Sequence, residues 1–67
     1  MKPLIDAVMN GENLIGRLIE LPDPDQGITY EGTIIEIDRD INRARVQWHD
    51  DGSISGINLY NKRIRIS

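Results

Sequence analysis

Hydrophobic and polar residues alternate in several short runs of the chain, and this spacing predicts a β-rich fold. The clearest run covers residues 43–48, where Ala44, Val46 and Trp48 alternate with polar side chains. Successive side chains of a strand point to opposite faces, so this alternation indicates a strand with one buried face. The dipeptide Asp51-Gly52 follows shortly after and is typical of a hairpin turn. Residues 28–37 are predicted to pair with this strand as the central ribbon.

Three further strands are predicted around this ribbon. Residues 14–21 form the first strand, and a proline-rich, acidic loop over residues 22–27 follows it. Residues 54–59 form the fourth strand. Residues 60–62 are expected to make a single 3₁₀ turn before a closing strand over residues 63–66.

The strand over residues 28–37 contains a glycine, Gly32, which indicates a bulge or a tight bend. Ile34 and Ile37 are three residues apart, whereas residues on one face of a regular strand are two apart. The inward face is therefore predicted to change phase along this strand.

The N-terminal segment, residues 1–13, is predicted to be a separate helical piece preceding a barrel over residues 14–67. Pro3 suits a first helical position and Asn10-Gly11 suits a C-terminal cap. So short a helix is marginal alone, so it is expected to dock on the sheet or on another chain. Its apolar residues, spaced four apart, are the candidate surface for a homo-oligomer: Leu4, Ile5, Val8 and Met9.

The composition favours sheet and argues against several classes of site. Twelve of the 67 residues are Ile, which is stiff at χ1 and fits a pleated surface. There is no cysteine and only one histidine, so no disulfide, thiolate zinc site, histidine-cluster metal site or cofactor is predicted. No apolar run approaches the roughly 18 residues of a membrane span, and the start lacks a signal-peptide core. A cytoplasmic location is expected.

Charge is distributed unevenly although the net charge is only −3. Residues 1–38 carry two basic and eight acidic side chains, whereas residues 39–67 carry six basic and three acidic ones. Five basic residues form a candidate patch for phosphates or an acidic partner: Arg43, Arg45, Lys62, Arg63 and Arg65. The alternative is that the arginines pair across strands with Glu20, Glu31 or Glu36.

Two acidic clusters and one histidine are the candidates for metal binding or catalysis. The spacings Asp23-x-Asp25 and Asp38-x-Asp40 resemble the start of a calcium loop, but the second cluster has an arginine where that loop needs glycine. Both are interpreted as turns held by Asx hydrogen bonds. His49 is adjacent to an aspartate, yet neighbouring strand residues face opposite ways. The chain is therefore not expected to be an enzyme.

Two segments carry a family resemblance: Tyr30-x-Gly32-Thr33-Ile34-x-x-Ile37-Asp38 and Val46-Gln47-Trp48-x-Asp50-Asp51-Gly52. They resemble the core of Tudor domains, and the Polycomb-like Tudors in particular, over roughly residues 16–66. Many SH3-like barrels, including KOW modules, share this pattern. The resemblance implies a five-stranded SH3-like (Tudor-like) barrel, and the short N-terminal helical turn lies outside it, so the predicted fold is all-β with that turn added.

Tudor domains that read methyl-lysine hold the ammonium group in a cage of aromatic rings through cation–π attraction. The resemblance places Tyr30 and Trp48 at two cage positions, while the third falls on Ile54 and the fourth near Pro24 and Asp25. Two rings can flank a cation or a planar arginine but cannot enclose it. A complete methyl-lysine cage is therefore not expected. Trp48 has two open roles, core packing or the rim of such a site.

The sequence thus predicts a non-catalytic interaction module, acting as an adaptor, inhibitor or accessory subunit. Its partner-binding residues are predicted to lie at one end of the barrel: Tyr30, Trp48, His49, Asp50 and Tyr60. Acidic loops near this end point towards a basic protein surface. The competing hypothesis is a KOW-like module that binds nucleic acid or the transcription apparatus through the C-terminal arginines.

Overall fold

Antiparallel β-sheet dominates the chain, as its isoleucine-rich runs predict. The computed structural model describes residues 1–67, of which 48% lie in strands. In chain order the elements are β1 (Lys2–Pro3), α1 (Leu4–Met9), β2 (Leu18–Asp23), β3 (Ile28–Asp38), β4 (Arg43–Trp48), β5 (Ile54–Asn58) and β6 (Arg65–Ile66). All strand pairs are antiparallel, in the order β1-β6-β2-β3-β4-β5. Helix α1 has only six residues, and no helix has the length and apolarity needed to cross a bilayer.

The sheet has six strands and is open, whereas the sequence predicted five strands closed into a barrel. The additional strand is β1, whose two residues pair with β6. Strands β1 and β5 form the two edges and do not pair with each other. Pro3 lacks an N–H group and so suits an edge strand. It ends β1 and also lies directly before the first residue of α1, so the proline that predicts a helix start belongs to the strand.

The first long strand begins at Leu18, not at residue 14 as predicted. Residues 14–17 instead make a turn in which Gly16 has φ +84° and the Arg17 N–H donates to the Leu14 carbonyl oxygen at 3.2 Å. The Gly16 N–H donates to the carbonyl oxygen of Ile34 on β3 at 2.8 Å. Leu14 is buried in the core. The apolar residues over 14–17 predict a strand, but Gly16 adopts a left-handed conformation that ends it and makes a turn instead.

The closing strand is also shorter than predicted, because two turns precede it. The N–H groups of Asn61 and Ile64 donate to the carbonyl oxygens of Asn58 and Asn61, and no 3₁₀ turn forms at residues 60–62. The Asn58 side chain accepts the Tyr60 N–H at 2.8 Å, and the Asn61 side chain accepts the Arg63 N–H at 2.9 Å. Such local bonds compete with the strand ladder and delay its start.

The predicted phase change in β3 is confirmed, but it occurs at Ile35. The register passes from Ile34 opposite Val46 to Glu36 opposite Arg45, which leaves Ile35 as an extra, bulged residue. Gly32 has a different role from the predicted bulge, because it lies where β3 and β4 approach closely. A Cβ atom on Gly32 would be 2.4 Å from Val46 Cγ1.

One core joins the helix to the sheet. Its eleven buried residues are Leu4, Ala7, Leu14, Ile19, Ile34, Ala44, Val46, Ile57, Leu59, Ile64 and Ile66. The predicted oligomer surface on α1 is corrected by this burial, since Leu4 is fully buried and Val8 packs against the core. Met9, which is 74% exposed, and the half-buried Ile5 remain accessible on that surface.

An ion network ties the segment after α1 to the sheet. The Glu12 carboxylate accepts hydrogen bonds from Lys2 Nζ and from an Arg17 Nη, the latter at 2.9 Å. Arg17 Nε also donates to the Ser67 carbonyl oxygen at 2.9 Å. The hydrogen bonds from Lys2 and then Arg17 lower the pKa of Glu12 from 4.5 to about 2.

Replacing Glu12 with glutamine is expected to lower the melting temperature at neutral pH, because a neutral amide cannot form these ion pairs. The folded-state pKa lies below the ordinary value of 4.5, so the carboxylate stabilises the fold fully above that pH. Its contribution is lost as the pH falls towards about 2. Thermal melts followed by circular dichroism should therefore show a difference between wild type and variant that narrows on acidification. Glu36→Gln is the control, and a pH-independent difference would contradict the assignment.

Replacing Gly32 with alanine is expected to destabilise the fold by about 1–3 kcal/mol, because the new methyl group would overlap Val46 Cγ1. Gly56→Ala is the matched control on another strand. Its methyl group would meet only the flexible end of Arg43, so a change within about 0.5 kcal/mol is expected. Urea unfolding measures both variants. Equal stability of the two would show that the close approach at Gly32 does not constrain the sheet.

Candidate functional site

Two aromatic rings meet at one end of the β3–β4 ribbon. Tyr30 lies on β3 opposite Leu21 of β2, and Trp48 ends β4 opposite Gly32. Because Gly32 has no side chain, the indole can lie against β3, with Trp48 Cε3 3.0 Å from the position that a Cβ atom would take. The ring centroids of Tyr30 and Trp48 are 6.3 Å apart and their planes meet at 71°, a T-shaped contact.

Trp48 is half-buried and serves both of the roles that the sequence left open. One part of the indole packs against the core, and another part lines a surface cleft. Its Nε1–H donates to the Ser55 hydroxyl on β5 at 2.6 Å. This hydrogen bond and the contact at Gly32 hold the ring in one orientation, so its exposed surface is a fixed wall of the cleft.

The cleft has a volume of about 250 Å³. It is lined by Leu21, Tyr30, Trp48, Asp50, Asp51 and Ser53. Its lining therefore combines apolar and aromatic side chains with acidic ones. Pockets that hold a whole small molecule usually measure roughly 300–1,000 Å³, so this cleft has the size of one side chain.

The hairpin turn after β4 supplies the acidic side of the cleft. The Ser53 hydroxyl and N–H donate hydrogen bonds to Asp51, and these lower the pKa of its carboxyl group. The Asp50 carboxylate accepts the Asp51 N–H at 2.9 Å. Asp51 is therefore held ionised at neutral pH. Asp51 is not among the five predicted partner-binding residues, although it belongs to the acidic loops that the sequence directs towards a basic partner.

Two further hollows adjoin the cleft and share Tyr30 with it. One, of about 520 Å³, is lined by Ile28, Thr29, Tyr30, Glu31, His49 and Asp50. The other, of about 370 Å³, is lined by Leu21, Pro22, Asp23, Asp25, Tyr30, Asn61 and Arg63. Together the three hollows carry five carboxylates and one guanidinium group. This acidic end, as we call these three hollows, favours cationic ligands.

Two predicted members of the site are placed differently from the rest. His49 lines one hollow, but its Nε2 atom lies 2.8 Å from Thr33 Oγ1, and the ring makes no hydrogen bond with Asp50. Tyr60 is 43% exposed on the turn after β5 and lines none of the three hollows. The structure thus brings together Tyr30, Trp48, His49 and Asp50, but not Tyr60.

The basic residues do not gather on one surface. β4, which carries Arg43 and Arg45, is separated from β6, which carries Arg65, by β2 and β3. Arg43 and Arg45 line a hollow of about 330 Å³ together with two acidic residues, and Arg63 lies in the acidic end. Lys62 is exposed on the turn before β6.

Cross-strand neighbours of two arginines are acidic, although no arginine forms a salt bridge with Glu20, Glu31 or Glu36. Arg45 lies opposite Glu36, and Arg65 lies opposite Glu20. Arg65 also donates to the Met1 carbonyl oxygen at 2.6 Å. Facing charges of opposite sign reduce the positive potential that a phosphate group would require.

The interpretation of the acidic clusters as turns is confirmed. The Asp23 carboxylate accepts the Asp25 N–H at 3.2 Å, and the Asp38 carboxylate accepts the Asp40 N–H at 3.0 Å. No three histidine, cysteine or acidic side chains are placed to hold a metal ion. These carboxylates therefore organise loops and set the local charge.

Comparison with known proteins leaves the chain without an assigned family. No protein-family model matches it, and neither a curated protein nor a solved structure shows significant similarity to it. The geometry and charge of the acidic end are the features of the molecule that bear on its function.

Proposed function

We propose that this chain is a non-catalytic interaction module of the Tudor-like, SH3-like kind, whose cleft binds a basic side chain of a protein partner. The supporting observation is the position of Tyr30, which lies where three hollows with five carboxylates and one guanidinium group meet. An adaptor, an inhibitor or an accessory subunit would act through such a contact. The surface suits recognition, since it offers an aromatic wall and fixed charge.

The order of the strands supports the SH3-like part of this proposal. Strands β2 to β5 follow one another as an antiparallel meander, and β6 returns to pair with β2. A four-residue turn that contains Asp25 joins β2 to β3, shorter than the loop predicted over residues 22–27, and a tight Asp-Gly turn follows β4. The Tyr30–Trp48 cleft lies between these two connections, which is where loops of such a module meet a ligand.

The geometry favours arginine over a methylated lysine. The two rings touch each other in a T-shape, so a cation can lie on an exposed ring surface but not between them. A planar guanidinium group can stack on a ring while its N–H groups reach Asp50 or Asp51. A trimethylammonium group has no N–H donor and needs an enclosing cage.

Nucleic-acid binding is the alternative, and it has less support. The arginines are divided between two parts of the sheet and face acidic residues. If the alternative holds, the protein will bind single-stranded RNA or duplex DNA at low salt, and binding will weaken steeply as salt rises. The double variant Arg43→Ala/Arg45→Ala would then lose binding, while changes in the cleft would have no effect.

Short capped peptides containing one arginine, lysine, trimethyllysine or citrulline test the cleft directly. Trp48 is the only tryptophan of the chain, so its fluorescence reports binding. The arginine peptide is expected to bind most tightly. The citrulline peptide, which has the same shape but no charge, is expected to bind at least about tenfold more weakly because it loses charge-assisted hydrogen bonds. Equal binding of the arginine and citrulline peptides would overturn the proposal.

Removing one carboxylate should weaken arginine binding in a position-specific way. Asp51→Asn is expected to raise the dissociation constant for the arginine peptide by about tenfold, since it removes a charged hydrogen-bond acceptor beside the aromatic wall. Asp40→Asn changes the net charge equally but lies on the turn between β3 and β4. If both variants weaken binding to the same extent, only general electrostatic attraction is involved.

The aromatic wall is tested with a pair of tyrosine variants. Tyr30→Leu is expected to weaken arginine binding by roughly threefold to tenfold through the loss of cation–π attraction. Tyr60→Leu removes an exposed tyrosine outside the cleft and should leave the affinity unchanged. The melting temperature of each variant checks that the fold is retained. Loss of affinity in Tyr60→Leu alone would move the site to the other end of the sheet.

A further inference from the structure

Strand β5 presents a free edge with a defined set of hydrogen-bonding groups. The Trp48 N–H donates to the Ser53 carbonyl oxygen and the Leu59 N–H to that of Asn42, at 2.8 and 2.9 Å. Hydrogen-bonded pairs alternate along an antiparallel ladder, so Ser55 and Ile57 direct their backbone groups to β4. Ile54, Gly56 and Asn58 consequently direct theirs away from the sheet.

The two edges of the sheet differ in how they are protected. Edge strands are commonly blunted by short length, proline or charge. β1 has two residues, one of which is Pro3, whereas β5 has five residues without proline or charge. Ile54, at the start of β5, is 50% exposed. The β5 edge therefore lacks the features that prevent another strand from pairing with it.

A guanidinium group lies across this edge strand. Arg43 Nη2 is 2.9 Å from the position that a Cβ atom would take on Gly56. Arg43 forms neither of the two salt bridges of the molecule, both of which involve Glu12. Asp38 lies opposite Arg43 on β3 but forms no salt bridge with it, so the guanidinium group is unpaired over the middle of β5, where a side chain on an added strand could reach it.

We propose that the β5 edge accepts an extended acidic segment of another protein as an additional strand. Backbone hydrogen bonds to Ile54 and Gly56 would align the segment, and Arg43 would pair with a carboxylate near its centre. A second copy of this chain fits less well, because pairing two β5 strands about Gly56 would bring two Arg43 side chains together. This site is independent of the Tyr30–Trp48 cleft, since Arg43 and Trp48 lie on opposite faces of β4 by alternation.

A capped peptide of alternating threonine and valine with one central glutamate is the probe. Two peptide controls replace glutamate with glutamine or carry N-methyl groups along one edge of the backbone. The glutamate peptide is expected to bind the wild type at least about tenfold more tightly than either control, because only it can form both the ladder and the ion pair. Equal binding of the N-methylated peptide would overturn the proposal.

Charge reversal tests the assignment to Arg43. Arg43→Glu is expected to prefer the glutamine peptide over the glutamate peptide, whereas Lys62→Glu, on the turn before β6, should keep the wild-type preference. Gly56→Pro removes an outward N–H without breaking a bond to β4, and it should weaken binding of the glutamate peptide at least about tenfold. An unchanged preference in Arg43→Glu would overturn the role of the arginine.

Amide hydrogen exchange gives a reading that does not depend on any variant. Saturating glutamate peptide should slow exchange at Ile54 and Gly56, while Ser55 and Ile57 are already protected by β4. Unchanged exchange at Ile54 and Gly56 would overturn the proposal even if the peptide binds elsewhere.

Sedimentation of the protein without peptide tests whether a second copy occupies the edge. A dimer whose β5 amides are protected from exchange would overturn the proposal and assign the edge to a second copy. Arginine-peptide binding at the cleft should be unaffected by Gly56→Pro, which separates this site from the proposed function.

Discussion

The close approach of β3 and β4 at Gly32 is the constraint on which the candidate site depends. A side chain there would overlap Val46 and crowd Trp48. Without one, the indole lies against β3, contacts Tyr30 edge-to-face and donates its N–H to Ser55. The same contact connects the core to the cleft, because Val46 is fully buried while Trp48 is shared between the interior and the surface. The absence of a side chain at Gly32 thus determines where the aromatic wall lies.

Charge gives this wall its chemical preference. The acidic residues at the end of β2, in the loop after it and in the turn after β4 are far apart in the sequence, and antiparallel pairing brings them around Tyr30. Local hydrogen bonds fix several of them, as the Ser53 groups do for Asp51. Arg43, Arg45 and Arg65 lie on other parts of the sheet, each opposite an acidic residue. The result is one acidic end rather than a general negative surface.

Prediction from the sequence was best where a local pattern and its tertiary environment agreed. The alternation over residues 43–48 coincides with β4, and the Asp-x-Asp spacings form the expected Asx turns. It was less accurate where an apolar run is not a strand. Leu14 is apolar because it fills the core from a turn, and Ile64 because it is buried just before β6. Hydrophobicity reports burial, and burial alone does not distinguish a strand from a buried loop residue.

The sequence by itself determined that the chain forms an antiparallel sheet with a short helix, because isoleucine content, alternation and turn residues act over a few neighbouring positions. It also identified four of the residues that line the acidic end, Tyr30, Trp48, His49 and Asp50. Only the tertiary structure decided that Trp48 is both core and wall, that the arginines are separated, and that β5 is a free edge. Each of these depends on which strands are neighbours, and strand order follows from contacts between residues distant in the chain.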